Sequence, residues 1–589
     1  MVNTLREILS MYDQPDKKDL TYYEISAAIG KLPDDERKND ELQYEILAMD
    51  FSEDYEKDEW GTYFGPVMVG KDKNGNPVYY PDISTLTSEH IAYWEHRATE
   101  TCNPYMRMRY LGLVNDFKKI VTGIEPDYRQ IKLRYVESIV EVIDGDYSHY
   151  PIDYFTLIER AFDCAKALHN VLLIARVKET YFRLNARYKD ELETPGYWAN
   201  IMEVLLKNQD VFTPAEQEKI VTENEDRYRQ LYQLSLQNGR KTDNYAHLVH
   251  DETKLLCQYY EKTTQKDKIA PCIKGLHEAL HAAEPCRGAM WYQGMLSQVQ
   301  ELYRKYHLYK EANRLYVDIQ NCGEGALQSM EEFRVEMRVL QEDIDGLLRY
   351  MLAGTPAEAM SRFIKENTPN LEHEKEYQAQ KRAQAPFLYK MATTLYNSQG
   401  LPQSKCGGEE GDWNSFMREM AEGFVLKSYF MRKIIEGMEK ANILTYETVM
   451  QRLDNVPFLE TGHREIVDRG VKAYFDGDLL MACHLLIPQF EAAIRQIVLM
   501  KGGEVLRSNS DAQDGDEYKS LEGLLSSEEI KMVFTEDEIV YFKNLFTAKA
   551  GANFRNAVSH GLFCIERFDY NMADRVLHAF LVLTNAQLS

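Results

Sequence analysis

Near the C-terminal end of the chain, Arg555, Asn556 and His560 fall within one short stretch, NFRNAVSHGL, residues 553–562. These residue types suit work on a phosphate. A guanidinium fork binds two phosphate oxygens at once. An imidazole titrates near neutrality and can take or give a proton. Metal-independent phosphodiester cleavage needs a base for the attacking hydroxyl, an acid for the leaving oxygen and a cation beside the growing charge. His560 suits the acid or base role and Arg555 the phosphate. Asn556 could orient His560 or donate to phosphate. One histidine cannot easily be both acid and base at once.

The surrounding elements must hold these groups in place. Gly551 ends the preceding helix and Asn553 is the expected N-cap of the next. Arg555 then lies in a first turn, where free amides and the helix dipole favour an anion. Asn556 and His560 are four apart and share a face. Arg555 is about 140° around the helix from His560, within reach of a long side chain. Phe554, Val558 and Leu562, also at steps of four, are expected to hold the opposite face in the core. Upstream, DGDLLMACHLLIPQFEAAIRQIVLMKGG reads as one helix from an Asp476 or Asp478 cap to Gly502 and Gly503, kinked at Pro488. Its apolar stripe runs from Leu479 and Leu480 through Phe490 to Val498, and Glu491 and Arg495 can pair on one face. SSEEIKMVFTEDEIVYFKNLFTA gives one or two more helices, and MADRVLHAFLVLTNAQL is apolar enough to pack beneath the motif.

The order arginine, asparagine, three residues, histidine resembles the signature of the HEPN superfamily, small α-helical bundles that include metal-independent ribonucleases. The likeness extends over GVKAYFDGDLLMACHLLIPQFEAAIRQIV, then SLEGLL, then LFTAKAGANFRNAVSHGLF, about the last 125 residues. This arrangement is similar to a C-terminal HEPN-type domain of large bacterial proteins. FGPVMVGKDKNGNPVYYPDIS and NPYMRMRYLGLVNDF resemble the helical region that precedes it there. Ser559 departs from the pattern, which more often has alanine before the histidine and glycine. The resemblance implies an endoribonuclease used against phage or in growth arrest, as a toxin is. It implies RNA as the partner, no cofactor and no metal. It also implies a homodimer in which two motifs face each other across a composite cleft, with a regulatory protein as a further possible partner. In this reading Arg555, Asn556 and His560 are catalytic and Glu491 and Arg495 support them. HEPN domains also serve as non-catalytic RNA- or protein-binding scaffolds, which is the alternative.

A peptidase is a third reading. His277, Glu278 and His281 fit H-E-x-x-H, the zincin pattern. That function also needs a third ligand and a nearby edge strand. Glu284 is close, but no strand signal accompanies it.

At 589 residues the chain is too long for one core. The expected fold is all-α: a long irregular helical array followed by a C-terminal helical bundle. Residues 1–125 read as a helical region with a small hairpin turning at Asn74, Gly75 and Asn76. Residues 126–395 read as a helical array, 413–464 as connecting helices, and 465–589 as the HEPN-type bundle. LYRKYHLYKEANRLYVDI and YFTLIERAFDCAKALHNVLLIARVKETYFRLNARY carry the helical period. The polar, glycine-bearing stretches 397–412 and 501–520 read as a linker and an exposed mobile loop. The formal net charge of -25 repels nucleic acid at long range, so RNA binding needs a local reversal. From Tyr541 onward, Lys543, Lys549, Arg555, Arg567 and Arg575 exceed Glu566, Asp569 and Asp574. Nine scattered cysteines without metal-ligand spacing, no apolar run near the roughly 20 residues of a membrane span, and a polar N-terminus predict a cytoplasmic protein.

Overall fold

The computed structural model describes residues 4–33, 39–53, 60–72, 76–188, 197–237, 242–334, 336–385, 388–389, 391–407, 412–454, 456–459, 461–508 and 515–586. Helices take up 71% of the chain and small strands 4%, so the fold is all-α. The residues divide into two compact units, Met1–Tyr316 and Val317–Ser589. The division falls inside the 126–395 segment read from the sequence.

The first unit is built from successive helices joined by short, well-capped turns. Among them are α1 (Asp40–Asp50), α2 (Ser88–Glu100) and α3 (Pro104–Thr122). Asn103 caps α3 by accepting from the Tyr105 amide at 2.9 Å, and Pro104 fits the first helical position. The predicted hairpin is present as antiparallel strands β1 (Met68–Lys71) and β2 (Pro77–Tyr80). Asn74 and Gly75 of its turn lie outside the described residues. Further along come α4 (Pro214–Ser235), α5 (Thr242–Lys262) and α6 (Ile269–Arg287), which pack on one another. The two stretches that carry the helical period each contain a histidine in the left-handed region, His169 at φ 50° and His307 at φ 61°. Each break turns a long periodic run into a helical hairpin.

The second unit has one core that draws on residues from Met351 to Leu583. Its elements include α7 (Pro356–Asn367), α8 (Leu371–Gln384), β3 (Thr393–Tyr396), β4 (Pro402–Cys406), α9 (Trp413–Lys440), α10 (Thr461–Phe475) and α11 (Leu479–Met500). They continue with β5 (Leu506–Arg507), β6 (Glu517–Tyr518), α12 (Glu536–Phe546), α13 (Phe554–Ser559) and α14 (Tyr570–Leu583). Phe490 of α11 meets Phe542, Phe546 and Phe580 with ring centroids 5.0, 4.3 and 5.9 Å away. Aromatic contacts at these separations are favourable beyond the area they bury.

Three expectations change here. The 413–464 helices are not connectors, because Met417, Met431, Ile435 and Leu453 are buried in the same core as α11 and α14. Much of the 397–412 linker is the turn and second strand of the β3–β4 hairpin, and residues 408–411 lie outside the described residues. The 501–520 loop is pinned at both ends: β5 and β6 pair, and Arg507 bonds Glu517 at 3.0 Å. Residues 509–514 between them lie outside the described residues. Among the described residues no helix is long and apolar enough to cross a membrane.

Candidate functional site

The motif spans one six-residue helix and its C-cap. Arg555 is in the first turn of α13, and His560 is its C-cap. The two backbones are separated along the axis by about 7.5 Å at the usual helical rise. Gly561 follows with φ 62°. Its amide donates to the Val558 carbonyl at 3.2 Å, and the Leu562 amide donates to Ala557 at 2.8 Å. These two bonds make the left-handed helix stop that glycine allows at low cost. The stop leaves His560 exposed on the surface. Its ring has no hydrogen-bond partner among the described residues.

The start of α13 differs from expectation. Asn553 is the cap residue by position, but it is left-handed, at φ 55° and ψ 33°, and its side chain bonds no helix amide. Its Oδ1 accepts instead from Asn556 Nδ2 at 2.7 Å. Asn556 Oδ1 in turn accepts from Arg555 Nη1 at 3.3 Å. Asn556 thus orients Arg555 and not His560. Behind this chain, the Asn553 amide donates to the Asn544 carbonyl at 3.3 Å, and buried Asn544 donates to the Met417 carbonyl at 2.7 Å. A Cβ on Gly551 would lie 2.6 Å from the Asn544 carbonyl oxygen, so the backbone approaches as closely as only glycine permits.

Glu491 is the centre of the charged group. Its Oε2 accepts from Arg555 Nε at 2.8 Å, and its Oε1 accepts from Arg495 at 2.8 Å. The expected Glu491–Arg495 pair is therefore formed, and its carboxylate also reaches across to α13. Side-chain exposures of 13% for Glu491, 28% for Arg555 and 25% for Arg495 put the three at a half-buried surface. Two guanidiniums share one carboxylate, which leaves a net positive charge on a strongly acidic chain. Arg495 also lies over the Tyr518 ring, 5.0 Å from its centroid, and Tyr518 is 65% exposed. Sequence reasoning missed Asn544 and Tyr518, and it read Gly551 and Asn553 only as a helix stop and a cap, not as the close backbone approach and the side-chain bond they make.

The apolar side of α13 is partly as expected. Val558 is buried and Phe554 packs on the core, but Leu562 is 39% exposed because the helix has already ended. α14 is buried along most of its length beneath the motif. The kink residue Pro488 lies inside α11, which runs unbroken from an Asp478 cap whose side chain accepts from the Met481 amide at 3.0 Å.

The zincin-like residues sit on α6 in the first unit. Glu278 accepts from the Tyr232 hydroxyl. That bond, with Lys274 nearby, holds its carboxyl below the ordinary range, which weakens it as a base. His281 faces Glu284 at 3.4 Å, and His277 lies 3.3 Å from the Tyr292 hydroxyl. Among the described residues no group of three or more histidine, cysteine or acidic side chains could hold a metal ion. Among the described residues no disulfide joins any of the nine cysteines.

Comparison with protein-family models, with curated proteins and with solved structures finds no match for this chain.

Proposed function

We propose that the protein is a metal-independent endoribonuclease of the HEPN type, with His560 as acid or base and Arg555 on the scissile phosphate. One observation carries the reading. An exposed histidine with an unpartnered ring stands at the end of the same short helix whose start fixes an arginine beside a carboxylate. In the reaction, the ribose 2′-oxygen attacks phosphorus and the bond from phosphorus to the 5′-oxygen breaks. The 2′-hydroxyl proton goes to a base, and an acid supplies the proton taken by the 5′-oxygen. The products are a 2′,3′-cyclic phosphate and a 5′-hydroxyl. Arg555 meets the charge that grows on the phosphate. A second copy of the motif supplies the second proton-transfer group, so the working form is a homodimer joined at the His560 face. Its use is in defence against phage or in growth arrest.

Labelled RNA incubated with the purified chain, with and without a chelator, tests this. Chelator-resistant cleavage to cyclic-phosphate ends is the expected result, and proteolysis lost with chelator would return the α6 residues to consideration. A specific observation also favours the non-catalytic alternative, since Arg555 Nε is already held by Glu491 at 2.8 Å. In that reading the same RNA is bound and not cut.

A further inference from the structure

Arg575 on α14 is a buried cation with no counter-ion among the described residues. It is 2% exposed, and it forms no ion pair with a described carboxylate. Its neighbour Asp574 is taken by Arg432 at 2.9 Å. One Arg575 Nη donates to the Asn367 carbonyl at 3.1 Å, and the guanidinium lies 4.6 Å from the Phe424 ring centroid. It also stands beside the Tyr541 hydroxyl. Among the described residues its buried Nε has no partner. A buried guanidinium with an unmet donor is costly unless an anion matches it.

The same side chain lines a cavity of about 280 Å³ where α7, α8 and α9 meet. Exposed Lys365, His373 and Lys427 line its outer part. Two acids line it as well: Glu374 pairs with Lys427 at 3.0 Å, so an anion shares that lysine with it, and Glu366 accepts from the Tyr350 hydroxyl at 3.2 Å; Arg575, Lys365 and Lys427 still exceed the two carboxylates by one charge. The amides at the start of α8 are already capped, Leu371 by Asp537 at 3.0 Å and His373 by Asn370 at 2.9 Å. The attraction for an anion therefore rests on the side chains. A second cavity of about 310 Å³ shares His373, Glu374 and Lys427 and continues between α8 and α9 past Tyr377, Met420 and Leu426. Tyr377 and Leu426 are 51% and 62% exposed, so this part sets two open apolar faces among the polar Lys381, Glu419 and Glu422.

We infer that the two cavities form one binding site for a small phosphate monoester. The phosphate lies against Arg575, Lys365 and Lys427, and a flat or apolar body lies beside Tyr377 and Leu426. A doubly charged phosphate suits this cluster better than a carboxylate, because it offers acceptors to a guanidinium and two ammonium groups together. The site stands apart from the ribonuclease reading, and its test needs no RNA cleavage.

The test uses the full chain, thermal melting and titration calorimetry, with inorganic phosphate, adenosine monophosphate and adenosine as probes. Phosphate and adenosine monophosphate are expected to raise the melting temperature, the nucleotide at about tenfold lower concentration. Adenosine is expected to leave it unchanged. Lys365→Ala with Lys427→Ala, both at exposed positions, should weaken nucleotide binding by about tenfold or more. Leu426→Ala should weaken the nucleotide and spare phosphate, and Arg575→Met should abolish the response to both. If Arg575→Met does not fold, the lysine and Leu426 variants decide. No response of the wild type to either anion, or a response unchanged in the double lysine variant, overturns the assignment.

Discussion

Two arginine–carboxylate clusters, one in each unit, use the same chemistry to different ends. In the first unit, Arg97 bonds Glu45 and Asp13, both at 2.9 Å, and Glu45 also accepts from the Tyr93 and Tyr110 hydroxyls at 2.9 and 2.8 Å. Burial raises the Glu45 carboxyl, and Arg97 and the hydroxyls pull it back down. Glu45 is fully buried, and the cluster locks α1, α2 and α3 together. In the second unit one carboxylate, Glu491, joins two arginines, but all three side chains reach solvent and an exposed histidine ends the same helix as Arg555. Pairing alone does not mark a site. Access to solvent and a titratable neighbour without a partner separate the second cluster from the first.

Substitutions can break or sharpen that contrast. His560→Ala should lower RNA cleavage by about 10²–10⁴-fold while leaving the melting temperature unchanged, since the ring is exposed. A large loss of stability with unchanged specific activity would make His560 structural and remove the contrast. Glu45→Ala, in the closed cluster, should cost about 3–5 kcal/mol by leaving Arg97 buried without its main partner, read by chemical denaturation of the first unit. Glu491→Ala should cost only about 1 kcal/mol, because its arginines can turn to water, yet should reduce cleavage as Arg555 loses its anchor. If the two glutamate variants destabilise equally, the clusters are alike.

The units should also answer pH in opposite directions. Glu252 on α5 is 1% exposed and neither carboxylate oxygen has a partner among the described residues. Burial pushes its carboxyl up to about 8, against the pull of Arg227 and with a further push from Asp251 and Glu203. The folded unit therefore holds the proton more tightly than the unfolded chain. The stabilisation is complete below the ordinary 4.5 and is lost as pH rises through 8. His578 on α14 is fully buried between Tyr541 at 2.9 Å and the Ile364 carbonyl at 3.1 Å. The carbonyl fixes the proton on Nε2, so Nδ1 accepts from the tyrosine. Burial, with Arg575 beside it, lowers this imidazole to about 3, so its stabilisation is complete above 6.5 and is lost as pH falls. Asp574, raised by burial to about 6, offsets part of that loss between pH 6 and 3.8. Glu252→Gln should flatten the alkaline limb of the first unit's melting curve, and His578→Asn the acid limb of the second. Identical pH profiles for the two units would contradict both assignments. The smallest effect is expected for Tyr518→Ala, about 0.5–1 kcal/mol for a half-exposed cation–π contact, measured as a shift in melting temperature.

What the sequence made legible was local. The Asp478 cap, the stripe of α11 from Cys483 to Val498 and the Glu491–Arg495 spacing all follow from one helix and its period, whereas Leu480, expected in that stripe, is 40% exposed in the first turn. The link from Glu491 to Arg555 crosses 64 positions and has no local signature. Asn553 misled for a related reason: a good capping residue bonds a helix amide unless another side chain takes its oxygen, and Asn556 does so. The β3–β4 hairpin was hidden because PQSKC, its second strand, is polar and buries only Cys406. Its alternation carries no apolar contrast for a period to reveal. His307 shows the converse, since an unbroken apolar period ran straight through a left-handed residue that ends the helix.

The shared core of the second unit bears on how such a motif can be inherited. Recombination moves protein segments intact only when each carries its own interior. α14 does not meet that condition alone with α10 to α13. Its His578 and Arg575 bond backbone carbonyls of α7 more than 200 positions upstream, and Asn544 of α12 bonds Met417 of α9. A crossover near residue 465 would strand those donors and bare the apolar faces that Phe363, Met417 and Met431 cover. The smallest cassette that could pass between genes and still fold reaches back at least to α7, so the motif and its distant upstream helices must descend together.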